Sequence, residues 1–221
     1  MLRHLHRDLT KLNDHILALG GRVEEALARA SRALVERKAD LARKVIADDA
    51  MIDELELTID EECLKLLALH QPVAGDLRFI TSAMKINNDL ERIGDLAVNL
   101  AERAVDLSSH EPLNLPLAFE DMTTTARWML RDSLDALVRQ DPDLARRVCA
   151  KDDEVDELNR RHFDILMDRM RRDPEVLDAA LDYLTASLHL ERVADLATNI
   201  AEDVVFMVEA VVMRHGAPPE D

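Results

Sequence analysis

The chain has 221 residues, of which 48% are hydrophobic and 33% are charged, a balance typical of a soluble folded protein and not of a disordered or membrane-spanning one. Only 5 glycines, 7 prolines and 3% aromatic residues are present, which argues strongly against a turn-rich β-sandwich or barrel. The formal net charge of −17 repels phosphate backbones and anionic lipid headgroups, so neither nucleic acid nor direct membrane insertion is expected.

The chain begins without the continuous apolar stretch of a signal peptide, so we expect a cytoplasmic protein. From Asp8 to Arg214, apolar residues recur at three- and four-residue steps, the pattern of amphipathic helices. Breaks at Gln71-Pro72, at the segment 108–116 and at Asp173-Pro174 divide this pattern. The pattern therefore predicts six long helices, three before about residue 112 and three after it.

The two halves of the chain resemble each other. Ala33-Leu34-Val35 recurs 103 residues later, and the segment 91–102 recurs 100 residues later with eight of twelve positions identical. Repeats of this kind indicate a duplicated structural unit. We therefore predict an all-α fold of two tandem three-helix bundles, the first spanning residues 1–110 and the second spanning residues 114–216.

Acidic and amide side chains form stripes on two helices of each half. On an ideal helix, the stripe residues of the third helix fall within about 80° of one another. They are Glu91, Asp95, Asn99 and Glu102, repeated as Glu191, Asp195, Asn199 and Glu202. The second helix carries a similar stripe, formed by Asp49, Asp53, Glu56 and Asp60, with Asp152, Asp156 and Asn159 as its counterpart.

The stripe of the second helix lies in a run, residues 48–62, that contains eight acids and no Lys or Arg. Like charges one turn apart destabilise a helix, which suggests a compensating cation. If the second and third helices pack side by side, four carboxylates converge in each half. Their oxygen ligands favour Mg²⁺, Ca²⁺, Mn²⁺ or iron over a closed thiolate or imidazole zinc site. Solvated helix faces are the alternative interpretation, although the duplication of the stripes favours metal binding.

Motifs of common enzyme classes are absent from the sequence. No Glu-x-x-His of di-iron proteins, no His-Glu-x-x-His, no Gly-x-Ser-x-Gly and no P-loop occurs. No nucleophile can be assigned to a neighbouring histidine base, so we predict a protein that is not an enzyme.

The duplicated Glu-Arg-φ-x-Asp-Leu-Ala-x-Asn-φ-Ala-Glu motif, where φ is an apolar residue, and the connector Pro72–Arg78 resemble the PhoU family over almost the whole chain. The resemblance implies two three-helix bundles and metal ions such as iron, zinc, manganese or magnesium, held by carboxylates. The implied ligands are Asp49, Asp53, Glu91 and Asp95 in one half and Asp152, Asp156, Glu191 and Asp195 in the other, with Asn99, Glu102, Asn199 and Glu202 as further candidates.

The same resemblance implies a negative regulator of phosphate uptake and of phosphate-regulon signalling. The implied partners are the ATPase subunit of a Pst-type phosphate transporter, a PhoR-type sensor histidine kinase and a second copy of the chain. A metal-dependent phosphohydrolase that uses the same carboxylates is the alternative hypothesis. A purely structural helical oligomer, in which the acids serve solubility, is the third.

Overall fold

The computed structural model describes residues 2–213, with no side-chain description for residues 2 and 3, and contains only helices and connections within that range. The α-helices are α1 Leu2–Glu36, α2 Ala39–Asp48, α3 Ala50–His70, α4 Ala74–Ser108, α5 Phe119–Arg139, α6 Pro142–Cys149, α7 Asp152–Arg172 and α8 Leu177–Glu209, with a short 3₁₀ helix at Pro174–Val176. Among these residues, no helix combines the length and the apolar character needed to cross a membrane. The predicted all-α fold is confirmed.

The six predicted helices correspond to six rods, two of which are jointed. The second rod of the first half consists of α2 and α3, joined at Asp49, whose carbonyl accepts a hydrogen bond from the Ile52 amide at 2.7 Å. The matching rod of the second half consists of α6 and α7, joined at residues 150–151. The Asp141 side chain caps α6 by accepting hydrogen bonds from the next turn, as an N-cap residue does.

Four long helices, α1, α4, α8 and α5, form a closed ring at the centre of the molecule. Two ion pairs join α4 to α8. Lys85 lies 2.8 Å from Asp203, and Arg103 lies 2.9 Å from Asp182. Since the residue numbers rise on one helix as they fall on the other, α4 and α8 are antiparallel. The buried apolar side chains of both halves form one continuous core. The two bundles therefore share a core across the α4–α8 contact.

The outer rods lie on opposite sides of this ring. Helix α3 packs against α1 and α4, and α7 packs against α5 and α8. The burial of Ile52 and Ile59 on α3 and of Val155 and Leu166 on α7 fixes which face of each outer helix points inward. Each outer helix therefore lies next to one long helix that carries the duplicated acidic motif.

Arg37 ties the first half to the linker between the halves. It ends α1 in the left-handed conformation, with φ 54°. Its guanidinium donates hydrogen bonds to the carbonyl oxygens of Leu107 and His110 and, at 3.2 Å, to the hydroxyl of Tyr183 on α8. One side chain thus connects α1, the end of α4, the linker and α8.

Candidate metal-binding faces

The first acidic face consists of Asp49, Asp53, Glu91 and Asp95, and it follows the contact between α3 and α4. Asp49 lies at the α2–α3 joint and Asp53 lies one turn into α3, while the other two acids lie one turn apart on α4. The packing of these helices thus places acids from two rods along one groove, as the helix periodicity predicts.

A polar contact holds α3 and α4 together one turn beyond this face. The Asn87 amide donates to the Glu56 carbonyl at 3.1 Å and to the Asp60 carboxylate at 3.3 Å. Asn87 is fully buried, so these hydrogen bonds satisfy a donor that water cannot reach. The contact fixes the register of α3 on α4 and therefore the position of the acids along the groove.

The charges of the first acidic face act on one another. Burial raises the pKa of Asp49, and the charges of Asp53 and Asp95 raise it further. The pKa of Glu91 is raised by burial and then by Asp95, Glu56, Asp53 and Asp49. Glu56 thus belongs to this electrostatic group, although the sequence pattern assigns it no ligand role.

The second acidic face consists of Asp152, Asp156, Glu191 and Asp195, along the contact between α7 and α8. Burial raises the pKa of Asp152 to about 6, with further contributions from Asp195, Asp156 and Glu191. Its Oδ1 atom is buried and has no hydrogen-bond partner. A buried carboxylate oxygen without a donor is costly, and either a proton or a cation removes that cost.

Two further acids of the second acidic face, Glu191 and Asp195, have raised pKa values. Partial burial and the charges of Asp195 and Asp156 raise the pKa of Glu191, and partial burial and Asp156 raise that of Asp195. Arg192 opposes both shifts without reversing them. The balance of charge on this face is negative.

Further along α4 and α8, Glu102, Asn199 and Glu202 have neighbours outside these two faces. Asn199 and Glu202 line a cleft of about 520 Å³ between α4 and α8, where Lys85 pairs with Asp203. Glu102 lies 3.9 Å from the guanidinium of Arg103. The stripe on a single helix therefore divides between two environments.

The donor set suits a hard cation, because both faces offer carboxylate oxygens and no thiolate or imidazole. In the described part of the chain, no three His, Cys, Asp or Glu side chains form a ready-made metal-binding group. A cation would therefore have to draw the carboxylates closer by rotation of their side chains. The unpaired Oδ1 of Asp152 makes the second acidic face the better fit.

A buried polar network beside the second acidic face was not predicted from the sequence. The Nδ1 atom of His162 lies 2.9 Å from the Oγ atom of Ser187, and the Ser187 hydroxyl donates a hydrogen bond to Asn159 Oδ1 at 2.8 Å. Burial lowers the pKa of His162 to about 4, so the ring is neutral near pH 7. Spacing along a single helix contains no signal for this network, since its members come from α7 and α8.

Comparison with known proteins places the duplicated fold in one family. A family model described as the PhoU domain matches residues 16–104 and 119–204. The phosphate-specific transport system accessory protein PhoU homolog of Pseudomonas putida is 38% identical over 216 residues, which cover 96% of this chain and 84% of that protein. The homolog of Aquifex aeolicus (strain VF5), described in the same words, is 37% identical, with 96% of each chain covered.

Solved structures agree with this assignment. The crystal structure of PhoU from Pseudomonas aeruginosa has a TM-score of 0.90 and 37% sequence identity, and the match covers 93% of this chain and 99% of that one. The phosphate transport system regulatory protein PhoU from Streptococcus pneumoniae has a TM-score of 0.84 and 28% identity, with 95% and 99% covered. The sequence motifs, the duplicated fold and these matches show that the chain belongs to the PhoU family.

Proposed function

We propose that this chain is a regulatory accessory protein of phosphate transport that holds cations on its two acidic faces. Its relatives are described as accessory or regulatory proteins of phosphate transport systems, which supports the regulatory role. The observation that carries the metal-binding part is the repeated four-carboxylate face, with the buried, unpaired Oδ1 of Asp152 in its second copy.

The residues that would hold the cations are the four acids of each face. Oxygen ligands suit magnesium, manganese or iron, and carboxylates also bind zinc in open sites. A bound cation supplies positive charge between two rods that both present negative charge. The carboxylates would then bind one ion instead of repelling one another, which stabilises the α3–α4 and α7–α8 contacts.

The partner contacts follow from the same proposal. A long all-helical protein with polar outer faces suits docking to other proteins in the cytoplasm, and we propose the transporter ATPase subunit and a sensor histidine kinase as its partners. A homodimer is part of the proposal. Through these contacts the protein would lower phosphate uptake and phosphate-starvation signalling when phosphate is abundant.

Deletion of the gene tests the regulatory role. In phosphate-rich medium, the deletion strain should take up labelled phosphate faster or express a phosphate-starvation reporter, and the wild-type gene should restore both to normal. Unchanged uptake together with an unchanged reporter would contradict the proposal. A pull-down from the complemented strain should recover the transporter ATPase or the sensor kinase.

The phosphohydrolase hypothesis makes a separate prediction, since paired cations on carboxylates can activate water. It requires metal-dependent hydrolysis of a phosphate ester by the purified protein and loss of that activity in Asp95→Asn. The descriptions of the relatives favour the regulatory role.

A further inference from the structure

The side of α3 that borders α4 carries two exposed leucines with an acid between them. Leu57, Asp60 and Leu64 follow one another at steps of three and four residues, which places them along one side of the helix. Leu57 is 64% exposed and Leu64 is 57% exposed. We call these three residues the α3 ridge.

Packing of the fold does not require leucine on this line. In the second half the positions that match Leu57 and Leu64 are Arg160 and Met167 on α7, by the same offset of 103 that relates Asp53 to Asp156. An arginine at the equivalent place shows that the fold accepts a charged side chain there. Two leucines that are more than half exposed on one helix face are therefore available for contact with another molecule.

Two acids lie at the α3 ridge, Asp60 within it and Glu54 three residues before Leu57. Among the side chains that the structure describes, no ion pair involves Asp60 or Glu54, although Lys65 pairs with Glu61 on the same helix at 3.2 Å. Asp60 accepts a hydrogen bond from Asn87. On α7, by contrast, Glu157 pairs with Arg160 at 3.5 Å and with Arg161 at 2.9 Å. Glu54 thus has no ion pair within the described residues, whereas Glu157, at the matching place on α7, has two.

We propose that the α3 ridge binds a basic amphipathic helix of a partner protein. Such a helix places apolar side chains against Leu57 and Leu64 while its lysines or arginines meet the flanking acids. A second copy of this chain offers no such match through α3, because two copies of this ridge would face each other with the same negative charge. The inference rests on the proposed function, because it assigns a surface and a chemical class to one of the partner contacts proposed there.

The test uses a fluorescein-labelled synthetic helix of about 20 residues, with leucines on one face and lysines on both sides of them. Its binding is followed by fluorescence anisotropy at about 0.15 M salt, where weak surface electrostatics are screened. Leu57→Ser/Leu64→Ser should weaken binding at least about tenfold. The matched control is Leu177→Ser/Leu181→Ser on α8, whose leucines are 47% and 46% exposed, and it should change affinity by less than about twofold.

Charge is tested separately from apolar contact. Glu54→Lys should weaken binding of the same peptide, whereas Glu175→Lys in the exposed 3₁₀ helix should not. A peptide with glutamate in place of every lysine should not bind. No binding to the wild-type protein, or equal losses in the two leucine pairs, would overturn the proposal.

The outcomes also separate this inference from the proposed function. One outcome is that deletion of the gene alters phosphate control while the Leu57→Ser/Leu64→Ser gene restores it fully and the peptide binds this variant as tightly as the wild type. In that case only the assignment of the α3 ridge fails. If deletion leaves phosphate control unchanged, the proposed regulatory role itself fails. Circular dichroism and the unfolding midpoint of each variant show that a loss of binding is not a loss of fold.

Discussion

Gly94 on α4 lies directly against Ile52 on α3: a Cβ placed on Gly94 would come within 3.1 Å of Cγ2 and 3.3 Å of Cδ1 of Ile52. In the second half, Ala194 and Val155 occupy the matching positions, and both are buried. The residue on the long helix is smaller in the first half than in the second, and its partner on the outer helix is larger in the first half. The two differences in size therefore compensate each other. Because an acid follows each of these residues on α3 and α4, this packing sets where the carboxylates of the first acidic face emerge.

This packing predicts that Gly94→Ala and Ile52→Val compensate each other. In the wild-type background, the added methyl group should lower the free energy of unfolding by about 1 kcal/mol, because overpacking outweighs the better helix propensity of alanine. In the Ile52→Val background the same change should raise stability. Urea unfolding of the four proteins in a double-mutant cycle measures this, with a coupling of about 1–2 kcal/mol expected.

Gly21→Ala serves as the control for helix propensity, since a Cβ at Gly21 meets nothing within 4 Å. It should stabilise the protein in either background. Additive effects of Gly94→Ala and Ile52→Val would show that the two residues do not limit the approach of α3 to α4.

Arg37 should hold the linker in place. Arg37→Ala removes the donor to two carbonyl oxygens and to Tyr183, at an expected cost of about 2 kcal/mol. Arginine and alanine both carry a Cβ, so the backbone strain at φ 54° is the same in the wild type and the variant. Limited proteolysis should then cut within residues 109–118 faster than in the wild type. Tyr183→Phe, which removes one acceptor only, should have a smaller effect, and equal effects would count against the assigned role of Arg37.

His162 should make the protein less stable in mild acid. Its pKa is lowered from 6.5 to about 4 by burial, so between these values the unfolded chain binds a proton that the folded chain does not. Stability should therefore fall as the pH drops from about 6.5 to about 4, by up to about 3 kcal/mol, and this contribution should change no further below pH 4.

The raised pKa of Asp152 acts in the opposite direction over a similar range, since a folded chain with this pKa gains stability as the carboxyl takes up a proton. The informative quantity is thus the difference in unfolding free energy between wild type and His162→Gln at each pH. This difference should change with pH below about 6.5. A flat curve for His162→Gln would contradict the neutral buried state of the ring.

The two acidic faces should respond unequally to a cation. The acids of the second face include the buried, unpaired Oδ1 of Asp152, and charge interactions strengthen as water is excluded. Added Mn²⁺ should raise the unfolding temperature, and Asp156→Asn should reduce that rise more than Asp53→Asn does. Equal reductions would show that burial does not set the affinity.

Periodicity and duplication predict the six rods and the acidic grooves, because both depend on spacing within a helix. The joint at Asp49 was not predicted, since neither glycine nor proline marks it. The cleft position of Asn199 and Glu202 was not predicted either, because a stripe on one helix does not show which neighbour each part of it meets. The same holds for His162 and Ser187, whose contact depends on the packing of α7 against α8.

The predicted boundaries of the two bundles, residues 1–110 and 114–216, stay a prediction. The shared core along α4 and α8 joins the halves more closely than a tandem arrangement of separate bundles implies. Expression of each half alone, followed by thermal unfolding, would show whether either folds without the other.

The metal content of the purified protein tests the central claim most directly. The protein is purified without chelator or affinity-tag metal, and its metal-to-protein ratio is measured by elemental analysis beside that of a variant in which Glu91, Asp95, Glu191 and Asp195 are all alanine. We expect bound metal in the wild type and its loss in the folded variant. A wild-type protein without metal, or a variant that retains the full amount, would contradict the account.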